Sequence, residues 1–213
     1  MSQRTYTPPR LYLITPPLAG AMAFVPALEA ALGAGDVAAV LLRHATADER
    51  SLSGRTKAIA PVVQRRDVAL LLDGHADLVA RTGADGAHLN GIEELSAAIG
   101  ALKPDRIAGC GGLRSRHDAM LAGEANADYV MFGEPNNRGS RPPFDAVIER
   151  VGWWAGLFEV PCVGYAASLD EVALLKDAGA DFVALGDWIW INEHAPSIVN
   201  AASALLSETA LAL

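Results

Sequence analysis

The sequence predicts a single (β/α)8 barrel, the TIM-barrel fold of the α/β class, on three observations. First, one phrase occurs three times: Gly83-Ala84-Asp85-Gly86-Ala87-His88-Leu89, Asn126-Ala127-Asp128-Tyr129-Val130-Met131-Phe132-Gly133 and Gly179-Ala180-Asp181-Phe182-Val183-Ala184-Leu185-Gly186. Each copy ends a stretch of helical periodicity and opens a short apolar strand, and repeated helix-to-strand joints make a parallel sheet. Second, eight apolar runs alternate with eight helical patterns along the chain. Third, the apolar runs are continuous, as expected of strands buried on both faces.

Each residue of the phrase has a mechanical reason. Gly or Asn suits the left-handed position that ends a helix. The small Ala lets the chain pass close under the barrel. The Asp falls at the lower rim, the face of such a fold that serves stability and not chemistry.

Strands are predicted over Arg10–Thr15, Ala38–Arg43, Val68–Asp73, Ala87–Leu89, Arg106–Cys110, Tyr129–Gly133, Cys162–Tyr165 and Phe182–Gly186. The helices between them span Ala21–Leu32, Ala47–Gln64, Ala76–Thr82, Glu93–Leu102, Ser115–Glu124, Phe144–Phe158, Leu169–Ala178 and Ser197–Leu211. Ser168 followed by Leu169-Asp170-Glu171 reads as an N-cap with acids in the first turn. Residues 1–9, ending in Pro8-Pro9, read as a flexible arm, and residues 10–213 as one domain. The longest loop, Glu134–Pro143, follows the sixth strand and reads as a lid over the upper face.

A chain of 213 residues suits one such barrel, and 51% hydrophobic residues are enough for a large core. The formal charge of −8 argues against nucleic acid as a partner, because phosphate-backbone binding needs a basic face. Neither a signal-peptide pattern nor an apolar stretch of membrane-spanning length is seen, so no membrane partner is expected and the cytoplasm is the default location. Cys110 and Cys162 both fall in strands and read as buried packing thiols. The apolar tail Ala195–Leu213 can cover the barrel or join a second copy in a homodimer.

In a closed βα barrel, functional groups stand at the C-terminal strand ends. Arg43 and His44 follow the second strand, Asp73-Gly74-His75 the third, and His88-Leu89-Asn90-Gly91 with Glu93 the fourth. Cys110-Gly111-Gly112 with Arg114 follow the fifth, and Glu134, Asn136, Asn137, Arg138 and Arg141 the sixth. The seventh ends in Tyr165-Ala166-Ala167-Ser168, and the eighth in Asp187-Trp188. Asp73 and His75, two residues apart in an extended segment, would point to one face, with His88 on the next strand. The three are the catalytic candidates, and Asp73 with Glu93 the metal candidates. Against this, isolated histidines more often satisfy local hydrogen bonds. Arg43, Asn136, Arg138, Arg141 and Asp187 are the substrate-binding candidates. The loop arginines read equally as anion ligands or as solvated charges.

Leu11-Tyr12-Leu13-Ile14-Thr15, Leu42-Arg43, Asp77-Leu78 with the Gly83–Leu89 phrase, Asp128-Tyr129 and Val160-Pro161 fall in an order that resembles the thiamine-phosphate synthase family, which includes the thiazole tautomerases. The resemblance runs from about Arg10 to Trp190. It implies a TIM barrel that joins an aminopyrimidine diphosphate to a thiazole phosphate, with magnesium assisting departure of diphosphate. Such chemistry needs cations around diphosphate, carboxylates for magnesium and a neutral nest for the second phosphate.

The chain departs from the family pattern at most of these positions. The Gln-x-Arg-x-Lys after the second strand is Leu41-Leu42-Arg43-His44-Ala45, where Arg43 alone remains. The Asn-Asp pair after the third is Asp73-Gly74, and the acid after the fourth corresponds to Glu93. The Ser and His after the fifth are gone from Gly111–Arg114. The Thr- and Lys-containing loop is Asn136-Asn137-Arg138-Gly139-Ser140-Arg141. The Gly-Gly of the phosphate nest is Ala166-Ala167, and its Ser is Asp187. A carboxylate there repels a phosphate aimed at the same amides, and Trp188 and Trp190 can fill ligand space. The expectation is a synthase-like protein of thiamine biosynthesis with weak or lost synthase activity, binding a small phosphorylated ligand, with magnesium only if the family reaction is kept. The alternatives are a barrel with His/Asp- or metal-assisted isomerase chemistry and a non-catalytic ligand-binding barrel.

Overall fold

In the computed structural model, which describes residues 7–136 and 138–208 and only the backbone of Asn192 and Glu193, eight parallel strands close into a barrel in sequence order. The strands are β1 (Arg10–Ile14), β2 (Val37–Leu42), β3 (Ala69–Asp73), β4 (Gly86–Asn90), β5 (Ile107–Gly111), β6 (Tyr129–Phe132), β7 (Cys162–Ala166) and β8 (Phe182–Leu185). Closure is made by β1 against β8, with Arg10 opposite Phe182 and Leu13 opposite Leu185. The helices are α1 (Val25–Leu32), α2 (Glu49–Gln64), α3 (Ala76–Thr82), α4 (Ile92–Leu102), α5 (Arg116–Glu124), α6 (Phe144–Leu157), α7 (Leu169–Asp177) and α8 (Ala195–Ser207). All eight strands and eight helices expected from the sequence are found. The part of the last helix expected beyond residue 208, the arm before residue 7, and Asn137 lie outside the described residues. A 3-10 segment, Asp187–Glu193, follows β8.

The period-two geometry of the strands divides the core into two. Inside the barrel pack Tyr12, Ile14, Leu41, Leu71, Tyr129, Met131, Val163 and Tyr165. Between strands and helices pack Leu11, Leu13, Val40, Leu42, Leu70, Leu72, Val130, Phe132 and both cysteines, among others. Cys110 and Cys162 are both buried there, as expected. Trp154 of α6 is fully buried, donates to Val160 O at 2.7 Å and stacks on Phe158, so it belongs to the core. Gly109 makes room inside the barrel, because a side chain there would run into the Tyr129 ring.

The three repeated joints do one job. Gly83, Asn126 and Gly179 all have positive φ, at 78°, 64° and 93°. Ala84, Ala127 and Ala180 are buried. Each Asp carboxylate then accepts the amide at or beside the start of the preceding strand: Asp85 from Leu70 N, Asp128 from Ala108 N and Asp181 from Cys162 N, at 2.7, 2.7 and 2.8 Å. These amides open the ladder, and a carboxylate acceptor makes a charge-assisted bond there. Helix starts are capped as the sequence suggests. Ser168 accepts from Glu171 N, and Ser115 forms a reciprocal capping box with Asp118. Helix α8 packs on α1, α7 and β1, so the described part of the apolar tail covers the barrel.

Candidate active site

The C-terminal strand ends surround an open cavity of about 990 Å³. Its lining holds Arg43, Asp73, His88, Arg114, Glu134, Asn136, Arg138, Arg141, Arg150, Tyr165 and Asp187. Five arginines face three carboxylates, in a chain whose net charge is −8. The mouth is thus locally cationic on an acidic protein, and such a cleft concentrates small anions.

The charges fall into two groups. Around β1–β3 and β8, Arg43 is held by carboxylates: its Nε lies 3.5 Å from Asp73 and its Nη1 3.2 Å from Asp187. Arg43 and Asp187, both expected to touch substrate, are here one another's partners. Around β5–β7 the arginines support loops or face the cavity. Arg150 donates to Leu113 O and Arg114 O and so fixes the turn after β5. Arg141 donates through Nη1 to both oxygens of Glu171 at 3.1 and 2.9 Å, while its Nε and Nη2 are buried without hydrogen-bond partners and its guanidinium lies over the Phe144 and Tyr165 rings. Buried guanidinium nitrogens with no acceptor carry a desolvation cost that an incoming anion can offset. Glu171 also accepts Ala167 N at 2.7 Å, so the amide following β7 is already occupied by a carboxylate of the protein itself.

The floor is a hydrogen-bonded chain inside the barrel. Tyr12 Oη and Tyr129 Oη are 2.8 Å apart, and Tyr129 Oη is 2.9 Å from His88 Nδ1. Burial pushes the His88 imidazole down to about 4 and both tyrosines up. Glu134 accepts Gly112 N, and burial raises its carboxyl above the ordinary range. Cys110 is buried behind the floor, and its thiol is pushed up to about 12 by burial, which suits a packing residue.

Several expected placements differ. His75 is exposed and does not line the cavity, because Gly74 and His75 both take positive φ, at 67° and 46°. The segment after β3 turns, so the two-residue rule for extended chain does not carry His75 to the Asp73 side. It packs edge-on to His44 instead. Glu93 is exposed in the first turn of α4 and also stands outside the lining. Asp73 and Glu93 are therefore not brought together, and among the described residues no group of three His, Cys, Asp or Glu is arranged to hold a metal. Asn136 lines the cavity, but its Oδ1 accepts Arg138 N and Ser140 N and so pins its own loop. Trp188 and Trp190 do not line the cavity; their indole N–H groups donate to Ala166 O and Ile14 O at strand ends. Tyr12, Tyr129, Arg150 and Glu171 were not singled out for the site, and Glu134 was counted among the strand-end groups without a role. Inward alternation along β1 and β6 would have signalled the tyrosines. Glu134 carried a signal too, as an acid directly beyond β6.

Comparison with known proteins gives a consistent answer. A family model described as thiamine monophosphate synthase matches residues 11–189. A thiamine-phosphate synthase of Rhodospirillum centenum is 43% identical over 198 residues, covering 90% of this chain and 94% of that protein. One from Hyphomonas neptunium is 37% identical, with 94% and 95% covered. Among solved structures, thiamine phosphate pyrophosphorylase from Pyrococcus furiosus superposes with a TM-score of 0.77 at 20% identity, covering 92% of this chain and 95% of that one. A 3-hexulose-6-phosphate synthase follows at 0.69 and 15%, covering 92% and 99%. At these identities the structural matches speak for the fold alone.

Proposed function

We propose that this chain, which belongs to the thiamine monophosphate synthase family, binds a small phosphorylated ligand at the barrel mouth and couples an aminopyrimidine diphosphate to a thiazole phosphate only weakly. The observation that carries the ligand class is the excess of five arginines over three carboxylates in the cavity lining. Arg138, and Arg141 with its two buried unpartnered nitrogens, present planar forks suited to phosphate oxygens.

The weakness follows from what occupies the remaining positions. Glu171 fills the Ala167 amide, Asp187 stands at the end of β8, and Arg43 is neutralised between Asp73 and Asp187. The resemblance ties the reaction to magnesium, which takes one or two protein carboxylates plus substrate phosphates. Asp73 is engaged by Arg43 and Glu93 lies off the cavity, so the residues present do not fit a magnesium site and no step is assigned to it. Asp73, His75, His88 and Glu93 take no part in the coupling reaction in this reading. The reading takes residues 10–213 as one domain, acting in the cytoplasm, as a homodimer that light scattering can check.

The test is a coupling assay with both substrates and magnesium, run beside the Rhodospirillum centenum relative. Loss of one oxyanion donor alone costs about 100- to 1,000-fold in other enzymes. Turnover at least ~100-fold below the relative is expected, and comparable turnover would overturn the reading.

A further inference from the structure

The floor of the cavity holds two titratable groups that the coupling reaction does not use, His88 and Glu134, which converge above Gly111. A β-carbon on Gly111 would lie 2.5 Å from His88 Nε2 and 2.6 Å from Glu134 Oε1. Both atoms therefore reach one point above a residue that has no side chain, and stand within about 5 Å of each other. Both residues line the cavity with Arg138 and Arg141.

The hydrogen-bond chain fixes which proton His88 presents. If Tyr12 donates to Tyr129 and Tyr129 donates to His88 Nδ1, every proton of the chain has an acceptor. In the reverse direction the buried Tyr12 hydroxyl proton would have none among the hydrogen bonds of the described residues, which is costly. His88 is thus a neutral imidazole that points Nε2–H into the cavity. Glu134, anchored by Gly112 N, offers its carboxylate from the other side. A carboxylate facing a neutral imidazole N–H is suited to enolisation.

We propose that Glu134 and His88 form an acid–base pair that moves a proton at the carbon beside the carbonyl of a small phosphorylated α-hydroxycarbonyl compound. The inference rests on the phosphorylated-ligand reading above, with the phosphate on Arg138 and Arg141. Glu134 takes the proton from carbon. The C–H electron pair becomes the carbon–carbon double bond, the carbonyl pair moves onto oxygen, and His88 Nε2–H hydrogen-bonds that oxygen. Return of the proton to the same carbon regenerates the starting compound. Its return to the neighbouring carbon, with a proton shifted between the oxygens, gives the isomer. Nothing outside the substrate is oxidised or reduced.

The probe is dihydroxyacetone phosphate in D2O, with deuterium entry beside the carbonyl followed by proton NMR and binding followed by calorimetry. Enzyme-dependent exchange is expected, lowered about 100-fold or more by Glu134→Gln and by a similar factor by His88→Gln. Arg138→Ala should raise the apparent KM with kcat retained. Glu134→Gln is nearly isosteric, and an unchanged melting temperature separates lost chemistry from lost fold. Binding without exchange, or exchange unchanged in Glu134→Gln, overturns the inference and leaves the ligand reading standing. Absence of dihydroxyacetone phosphate binding overturns the inference, and the ligand reading falls with it only where thiazole phosphate also fails to bind.

Discussion

The two ends of this barrel follow opposite rules. At the lower rim three joints repeat one solution: a left-handed residue, a buried Ala, and an Asp accepting a strand amide. At the mouth no two of the charged strand ends repeat a partner arrangement. Arg43 lies between two carboxylates, Arg141 is satisfied on one side only, and Glu134 is tied to a backbone amide. Repetition marks where the chain needs only to hold its shape. Individual, incompletely satisfied pairing marks where something else is to be bound.

The sharpest way to separate the two ends is pH. His88 is held down to about 4 against an ordinary value near 6.5, mainly by burial. The folded protein therefore binds fewer protons than the unfolded chain between those values. Its stability is fully present above pH 6.5, falls as pH drops toward 4, and is flat for this group below that. The loss attributable to His88 is on the order of 3 kcal/mol. The difference in urea-unfolding free energy between the native protein and His88→Gln should carry that slope, because other titrating groups cancel in the difference. A pH-independent difference would break the claim that the floor is held neutral.

At the lower rim the expectation is a stability effect without a binding effect. Asp85 accepts both Leu70 N and Gln64 Nε2. Asp85→Ala leaves a partly buried amide without its acceptor, and about 1–3 kcal/mol of stability should be lost. Phosphate affinity, measured by calorimetry, should not move. A change in affinity with unchanged stability would erase the division between the ends.

This division also explains what the sequence revealed. The joints were legible because their partners are close in the chain: Asp85 reaches Leu70 across 15 residues and Asp128 reaches Ala108 across 20. Arg43, Asp73, His88, Arg138, Arg141 and Asp187 were placed at the mouth because strand ends can be counted. Their partners could not be read. Tyr12 meets Tyr129 across 117 residues, and Arg43 meets Asp187 across 144. His75 was misplaced by a local cause, the left-handed turn at Gly74, which the extended reading of Asp73–His75 ignored. The carboxylate of Glu171 was read as a first-turn helix acid, and its reach back to Ala167 and across to Arg141 needs the closed barrel.

A smaller effect is expected at the β7–β8 side of the mouth. Glu171→Gln with Asp187→Ser removes two carboxylates near the β7 and β8 ends while keeping polar groups there. Affinity for a thiazole phosphate should rise about tenfold, near 1.4 kcal/mol, with little change in melting temperature. Unaltered affinity would show that these carboxylates do not exclude phosphate.

The most direct measurement is the position of a phosphate in a crystal of the unmodified protein soaked with thiazole phosphate. The phosphate is expected against Arg138 and Arg141, in the loop that follows β6, with Glu171 still on Ala167 N. A phosphate seated on the backbone amides of residues 186–188 would contradict it.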